Sequence, residues 1–245
     1  MKGKIHIGTS GWHYPHWKKL FYPNDLGKDE WLGFYAEKLQ CVEINNTFYK
    51  LPGPDTFTNW FKQTPADFTF AVKAWRVITH RKKLKDCAAA VDTFIEHVAV
   101  LGDKLGPVLL QLPPRWHCNA ARLNEFLHLL PKPFRYTFEF RDPSWHNDEV
   151  YSLLIEHNAA FCVFELGDIH SPHISTADFM YIRLHGPKGP YAGSYSVRRL
   201  RNWAEKISGW QAQGKDVFVF FDNDEAAYAA KNALLLDKLV KDFSP

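Results

Sequence analysis

Long apolar runs are missing from this 245-residue sequence, which nowhere holds the ~20 consecutive apolar residues that a membrane-spanning helix requires. The start, Met1-Lys2-Gly3-Lys4 leading into Ile5-His6-Ile7, lacks the apolar stretch of a signal peptide, so the expected address is the cytoplasm, with no membrane partner. Cysteine is scarce. Cys41, Cys87, Cys118 and Cys162 lie far apart with no C-x-x-C pair, which argues against a zinc cage and against a dense disulfide framework; they read as buried thiols. Nucleotide fingerprints are missing too. The turn Gly8-Thr9-Ser10-Gly11-Trp12 is not G-x-G-x-x-G, and no G-x-x-x-x-G-K-[ST] occurs, so no cofactor that depends on those motifs is specified. A strong charge of one sign is also absent. The net formal charge of +3 is too mild to announce a nucleic-acid partner through bulk electrostatics, so any basic site is local. No internal repeat, low-complexity tract or linker divides the chain, and one domain over 1–245 is the simplest account.

Aromatic and aliphatic residues are plentiful. With 19 Phe, 10 Tyr and 9 Trp and 46% hydrophobic residues, there is ample material for a core and no compositional case for disorder. Short runs rich in β-branched and aromatic residues recur, each followed by a stretch of helical spacing, which is the signature of βα units around a parallel sheet. Strands are expected at 4–8, 41–45, 68–73, 107–111, 135–140, 160–164, 179–184 and 217–221. Helices are expected at 29–39, 54–63, 86–101, 119–130, 148–156, 196–213 and 225–240, with a loop after the sixth strand instead of a helix. Eight such units make a single (β/α)8 TIM-type barrel the expected fold, with an open doubly wound sheet as the alternative.

Side chains alternate across a strand, so the barrel interior can be read by parity. If Glu139 points inward, so do Thr137 and Arg141, while Tyr136, Phe138 and Phe140 face the helices. In the seventh strand Tyr181, Arg183 and His185 share one face and Met180, Ile182 and Leu184 the other. The same rule brings Glu43, Asn45, Lys73, Gln111 and Asp222 to the C-terminal strand ends, where barrel enzymes place their chemistry. Burying so many polar groups unpaired would cost on the order of 1–3 kcal/mol each, so a mutually paired, partly wet mouth is expected. The plain alternative is an ion-pair network that only plugs the barrel. His6 reads as a hydrogen-bonded core histidine. Trp12, Tyr14 and Trp17 either stack on a ligand or form loop core with Phe21 and Tyr22.

At the strand ends, Gly8-Thr9-Ser10-Gly11-Trp12 with Phe21-Tyr22-Pro23, Val42-Glu43-Ile44-Asn45 with Thr47-Phe48-Tyr49, and Val72-Lys73-Ala74 with Thr79-His80 follow one another in order. Further along come Gln111-Leu112-Pro113-Pro114, Glu139-Phe140-Arg141 with Pro143-Ser144-Trp145, Arg183-Leu184-His185-Gly186, and Asn223-Asp224 with Lys231-Asn232-Ala233. Together they span nearly the whole chain, and the sequence resembles the YecE-like family, the domain of unknown function 72. The resemblance implies a TIM-type barrel and carries no reaction with it. Asp222 departs from the family pattern, which more commonly has Asn there, and Phe164-Glu165 fits it poorly.

Lys73, Arg141, Arg183 and His185 suit an anionic group, since Arg offers a planar donor fork and Lys a compact charge. Glu139 is the first candidate for general base, Glu43 the second carboxylate, Lys73 a further catalytic group and His185 the proton donor. Arg183, Arg141, Gln111, Asn45, Asp222, Asn223 and Trp12 are expected to bind the substrate. The leading expectation is a metal-independent hydrolase, lyase or isomerase for a small phosphorylated or carboxylated molecule. A metal-dependent phosphodiesterase using Glu43, Glu139, His185 and Asp222 as ligands ranks second, because Lys73 and Arg183 in the same set repel a divalent cation. A non-catalytic nucleic-acid binder ranks third; it would use Trp75, Arg76, His80, Arg81, Lys82, Lys83 and Lys85.

Overall fold

The structure, a computed structural model, describes residues 2–243. Eight parallel strands close into a barrel: β1 Ile5–Ser10, β2 Cys41–Ile44, β3 Thr69–Lys73, β4 Leu105–Gln111, β5 Tyr136–Glu139, β6 Ala160–Leu166, β8 Phe179–Leu184 and β9 Asp216–Phe221. Neighbours run β5-β4-β3-β2-β1-β9-β8-β6, and the β5–β6 pairing, with Thr137 opposite Ala160, completes the ring. A two-residue strand β7, Ile169–His170, folds back antiparallel on the end of β6, so the sixth unit has a hairpin where the others have helices. The expected (β/α)8 barrel is therefore the observed fold, and the open sheet is not.

The strands are mostly apolar on both faces because the barrel buries both, and the inward C-terminal ends of β2, β5 and β8 are among the polar exceptions. In β9, Val217, Val219 and Phe221 pack outward against the helices, while Phe218 and Phe220 join Cys41, Ala71, Leu109, Cys162 and Tyr181 in the interior. The helices are α1 Trp31–Ala36, α2 Asn46–Tyr49, α3 Pro54–Lys62, α4 Ala88–Val98, α5 Ala120–Leu129, α6 Asp148–Glu156, α7 Val197–Ala212 and α8 Tyr228–Phe243. Local chemistry sets their starts. Asn119, Asn147 and Ser196 accept from the backbone N–H three residues on, and Pro54 opens α3 with its φ already fixed. None of the described helices is long and apolar enough to cross a membrane.

Four details differ from the sequence reading. Strand β1 runs two residues further, to Ser10, because its ladder with β2 continues to the Ser10–Glu43 pair. After β3 a π-helical turn, Val77–Arg81, forms outside the expected helices, and the helix expected at 86–101 runs as α4 with a 3-10 segment, Ala99–Lys104, behind it; Lys83, Leu84 and Asp86 before α4 all have positive φ. Cys118 is only partly buried, unlike the three other free thiols. Among the described residues His6 forms no side-chain hydrogen bond; it stacks on Phe218 at 4.4 Å, and burial lowers its pKa to about 4.

A buried charged web at the barrel mouth

Parity predicts which strand ends point inward, and the structure brings them together around one guanidinium. Arg183, at the end of β8, is 1% exposed and touches three carboxylates. Its Nη2 donates to Glu43 Oε1 at 2.8 Å and to Asp222 Oδ2 at 3.0 Å, and its Nη1 donates to Glu139 Oε2 at 2.8 Å. Arg141 donates from Nε to the other oxygen of Glu139. Glu43 is fully buried and saturated: Ser10 Oγ at 2.7 Å and Tyr181 OH at 2.6 Å also donate to it.

His185 lies beyond Arg183 on the same face, 0% exposed. Its Nε2 meets two donors, Arg141 Nη2 at 3.1 Å and Arg183 Nη1 at 3.2 Å, so Nε2 accepts and the proton sits on Nδ1, which donates to Asp222 Oδ2 at 2.9 Å. Both nitrogens are thus engaged, and neither faces the opening as the expected proton donor would. Burial alone would raise the Glu139 carboxyl, but Arg141 and Arg183 outweigh it and hold the group well below the carboxylate range. Asp222 is held low in the same way, burial being outweighed by Arg183 and His185. Carboxylates in this state keep their charge and make weak bases.

Lys73 differs from all of these. It ends β3 pointing inward, its backbone carbonyl accepting from Thr47 Oγ1 at 2.6 Å, and its side chain is partly exposed. Among the described residues its ammonium has no hydrogen bond and no ion pair; it lies 4.5 Å over the Phe48 ring. Burial, then the neighbouring Arg183, lowers its pKa from 10.5 to about 8 against the pull of Glu139, Glu43 and Asp222. Gln111 is partly exposed at the end of β4 and paired in register with Glu139, and its side chain also has no hydrogen-bond partner among the described residues. Arg141, with its side chain 13% exposed, lies over the Phe164 ring.

The remaining expected residues fall outside this centre. Asn223 is buried, and its amide donates to Gly193 O at 2.8 Å and Asn232 Oδ1 at 3.0 Å, anchoring the loop after β8. Trp12 packs edge-on against Trp60 and, with Asn45, lines a cavity of about 310 Å³ beyond the ends of β1 and β2; the buried Asn45 Oδ1 has no partner among the described residues. Trp17 and Tyr22 are loop core, Tyr22 stacking on Trp31 at 4.8 Å. Arg81, Lys82, Lys83 and Lys85 are exposed, whereas Trp75 packs against the core.

Four mouth residues were not singled out from the sequence. Ser10 lay past the expected end of the first strand. Tyr181 was placed on the inward face, but its hydroxyl was not linked to Glu43. Phe48 belongs to the short helix α2, which has no period to detect. Tyr191 arrives by tertiary folding: Gly186, at φ +117°, lets the loop double back so that Tyr191 N bonds His185 O and its ring meets the His185 ring edge-on at 5.9 Å. A Cβ at Gly186 would stand 2.5 Å from Ala192 O.

A parallel eight-stranded barrel with an arginine buried among three carboxylates at its C-terminal strand ends defines a TIM-type barrel protein with a charged mouth. The chain belongs to the family described as "Protein of unknown function DUF72", whose model matches residues 6–244. It is 34% identical over 145 residues to UPF0759 protein YecE of Escherichia coli strain K12, a match that covers 58% of this chain and half the length of that protein. UPF0759 protein YunF of Bacillus subtilis is 27% identical over 93% of this chain and 92% of its own length. The crystal structure of a DUF72 family protein from Thermotoga maritima superposes with a TM-score of 0.88 at 28% identity, covering 97% of this chain and 99% of that one.

Proposed function

We propose that the mouth binds a small phosphorylated or carboxylated molecule and turns it over by metal-independent hydrolysis, lyase chemistry or isomerisation. The observation that carries this reading is the layering of charge. Glu43 and Glu139 are sealed at 0% exposure beneath the opening, while Lys73 and Arg141 are partly open to it. An incoming ligand therefore meets cations, although the cluster as a whole balances Lys73, Arg141 and Arg183 against three carboxylates. Gln111 adds an amide beside them.

The metal-independent reading is supported by the donor set. Arg183 stands between Glu43, Glu139 and Asp222, where a divalent ion bridging these carboxylates would have to sit. Among the described residues, no three His, Cys, Asp or Glu side chains are grouped to hold a metal. Lys73, at about 8, is the mouth group best matched to proton transfer near neutral pH, and Glu139 holds the Arg141 fork in place. The test is native mass spectrometry with elemental analysis of protein purified without chelator. The expected result is a retained small anion and sub-stoichiometric metal. A stoichiometric divalent ion would overturn the metal-independent reading and promote the phosphodiesterase alternative.

A further inference from the structure

Lys104 and Lys73 are both partly or wholly withdrawn from solvent, and their surroundings are opposites. Lys104, 5% exposed, donates to Phe61 O at 2.6 Å, Thr64 O at 2.7 Å and Thr64 Oγ1 at 3.1 Å; three acceptors fix it as a structural ammonium. Among the described residues the Lys73 ammonium has no acceptor. Lys73 is carried on a barrel strand, its backbone carbonyl accepts from Thr47, its ammonium lies over the Phe48 ring, and the residue is partly exposed at the C-terminal strand end. An anion-binding lysine needs only its charge. A desolvated amine on a rigid strand, with its lone pair unclaimed, suits attack on carbon.

We propose that Lys73 is the nucleophile of this mouth and forms an imine with an aldehyde or ketone that carries a phosphate or carboxylate. The assignment rests on the anion-binding reading above and names its substrate class. The Nζ lone pair attacks the carbonyl carbon, a C–N bond forms, and the carbonyl oxygen takes up a proton to give the carbinolamine as Nζ releases one. The carbinolamine hydroxyl leaves as water on taking a second proton, and the product is a protonated imine. That cation draws electrons from the adjacent C–H or C–C bond, and hydrolysis later restores the amine, so no oxidant or reductant is consumed. Arg141, just past the end of β5 with its side chain 13% exposed, is the mouth's second cation and the group proposed to hold the anionic end.

The groups that set the charge of Lys73 come from every side: Glu43 on β2, Glu139 on β5, Arg183 on β8 and Asp222 after β9. His80, on the turn after β3, stacks edge-on against Phe48 and is itself pushed down to about 4 by burial and by Lys73. It is therefore neutral at neutral pH and adds no second positive charge beside Lys73. With the amine at about 8, its neutral fraction at pH 7 exceeds that of an ordinary surface lysine by more than about a hundredfold.

The full-length protein is incubated at pH 7 with glyoxylate or with glycolaldehyde phosphate and sodium cyanoborohydride, which traps an imine as a secondary amine. Labelled lysines are then mapped by peptide mass, and inorganic phosphate binding is measured separately by calorimetry. The proposal expects Lys73 to be labelled at least about tenfold faster than exposed Lys62, with added phosphate slowing the reaction. If phosphate binds but Lys73 is labelled no faster than Lys62 by either probe, the imine is overturned and the anion reading stands. Selective labelling that phosphate neither slows nor accompanies with binding supports the nucleophile and removes the anion reading. Neither binding nor selective labelling overturns both.

Discussion

Replacing Arg183 with methionine tests whether the web is held together as described. The guanidinium is 1% exposed and is the shared ion-pair partner of Glu43, Glu139 and Asp222, and it helps to hold the Glu139 and Asp222 carboxyls low. Removing one member of a buried ion pair costs about 3–5 kcal/mol, because the partner is left as an uncompensated charge. At about 2–4 °C per kcal/mol for a chain of this size, the thermal midpoint of Arg183→Met falls by roughly 6–20 °C at pH 7. The pH dependence gives a second, independent sign. In the native protein Glu139 and Asp222 are held low, so their contribution is fully present above the ordinary carboxylate range and is lost as pH falls through the folded values. In the variant, burial without its cation raises those carboxyls, so protonation now relieves the folded state. The deficit measured by urea unfolding should therefore shrink between pH 7 and pH 4 by at least about 1 kcal/mol. A deficit below about 1 kcal/mol at pH 7, or one that widens toward pH 4, would refute the reasoning.

Three further outcomes are expected. Lys73→Met should stabilise the protein at pH 7 by about 1–3 kcal/mol in urea unfolding, because the depressed pKa penalises the folded ammonium fully below about 8; the gain should fade as pH rises toward 10, and a less stable variant would contradict it. Lys104→Met should cost about 2–4 kcal/mol, since it strips the donor from two buried carbonyls and a hydroxyl, and a loss under about 0.5 kcal/mol by the same assay would show those acceptors have other means of satisfaction. Gly186→Ala, forced to φ +117° with its Cβ against Ala192 O, should cost about 1–3 kcal/mol and expose the loop over residues 187–194 to limited proteolysis, whereas native-like protection would contradict the role given to that turn.

The sequence made the barrel readable because two periods alternate cleanly along it, and parity carried that reading into the interior. Tyr181, Arg183 and His185 do share the inward face, and Met180, Ile182 and Leu184 do pack outward. Parity says which way a side chain points, however, and not what closes over it. Glu139 and Lys73 are both inward strand-end residues, yet Glu139 is roofed by Arg141 and Lys73 is open. That distinction depends on Phe48 and Arg141, which reach the mouth from separate segments of the chain. Asn223 misled for a related reason: it stands at a strand end, but its amide is turned away to tie Gly193 and Asn232. Asp222 serves as a carboxylate, accepting from Arg183 and His185 together.

The central claim is that the open face of the mouth is cationic and centred on Lys73 and Arg141, and titrating inorganic phosphate into the native protein, Lys73→Met and Arg141→Met by calorimetry at pH 7 tests it most directly. The account predicts saturable one-site binding to the native protein, weakened at least about tenfold in each variant, and weakening in the native protein as pH rises through about 8 and Lys73 loses its charge. Binding that survives both substitutions unchanged, or no binding at millimolar phosphate, would contradict it.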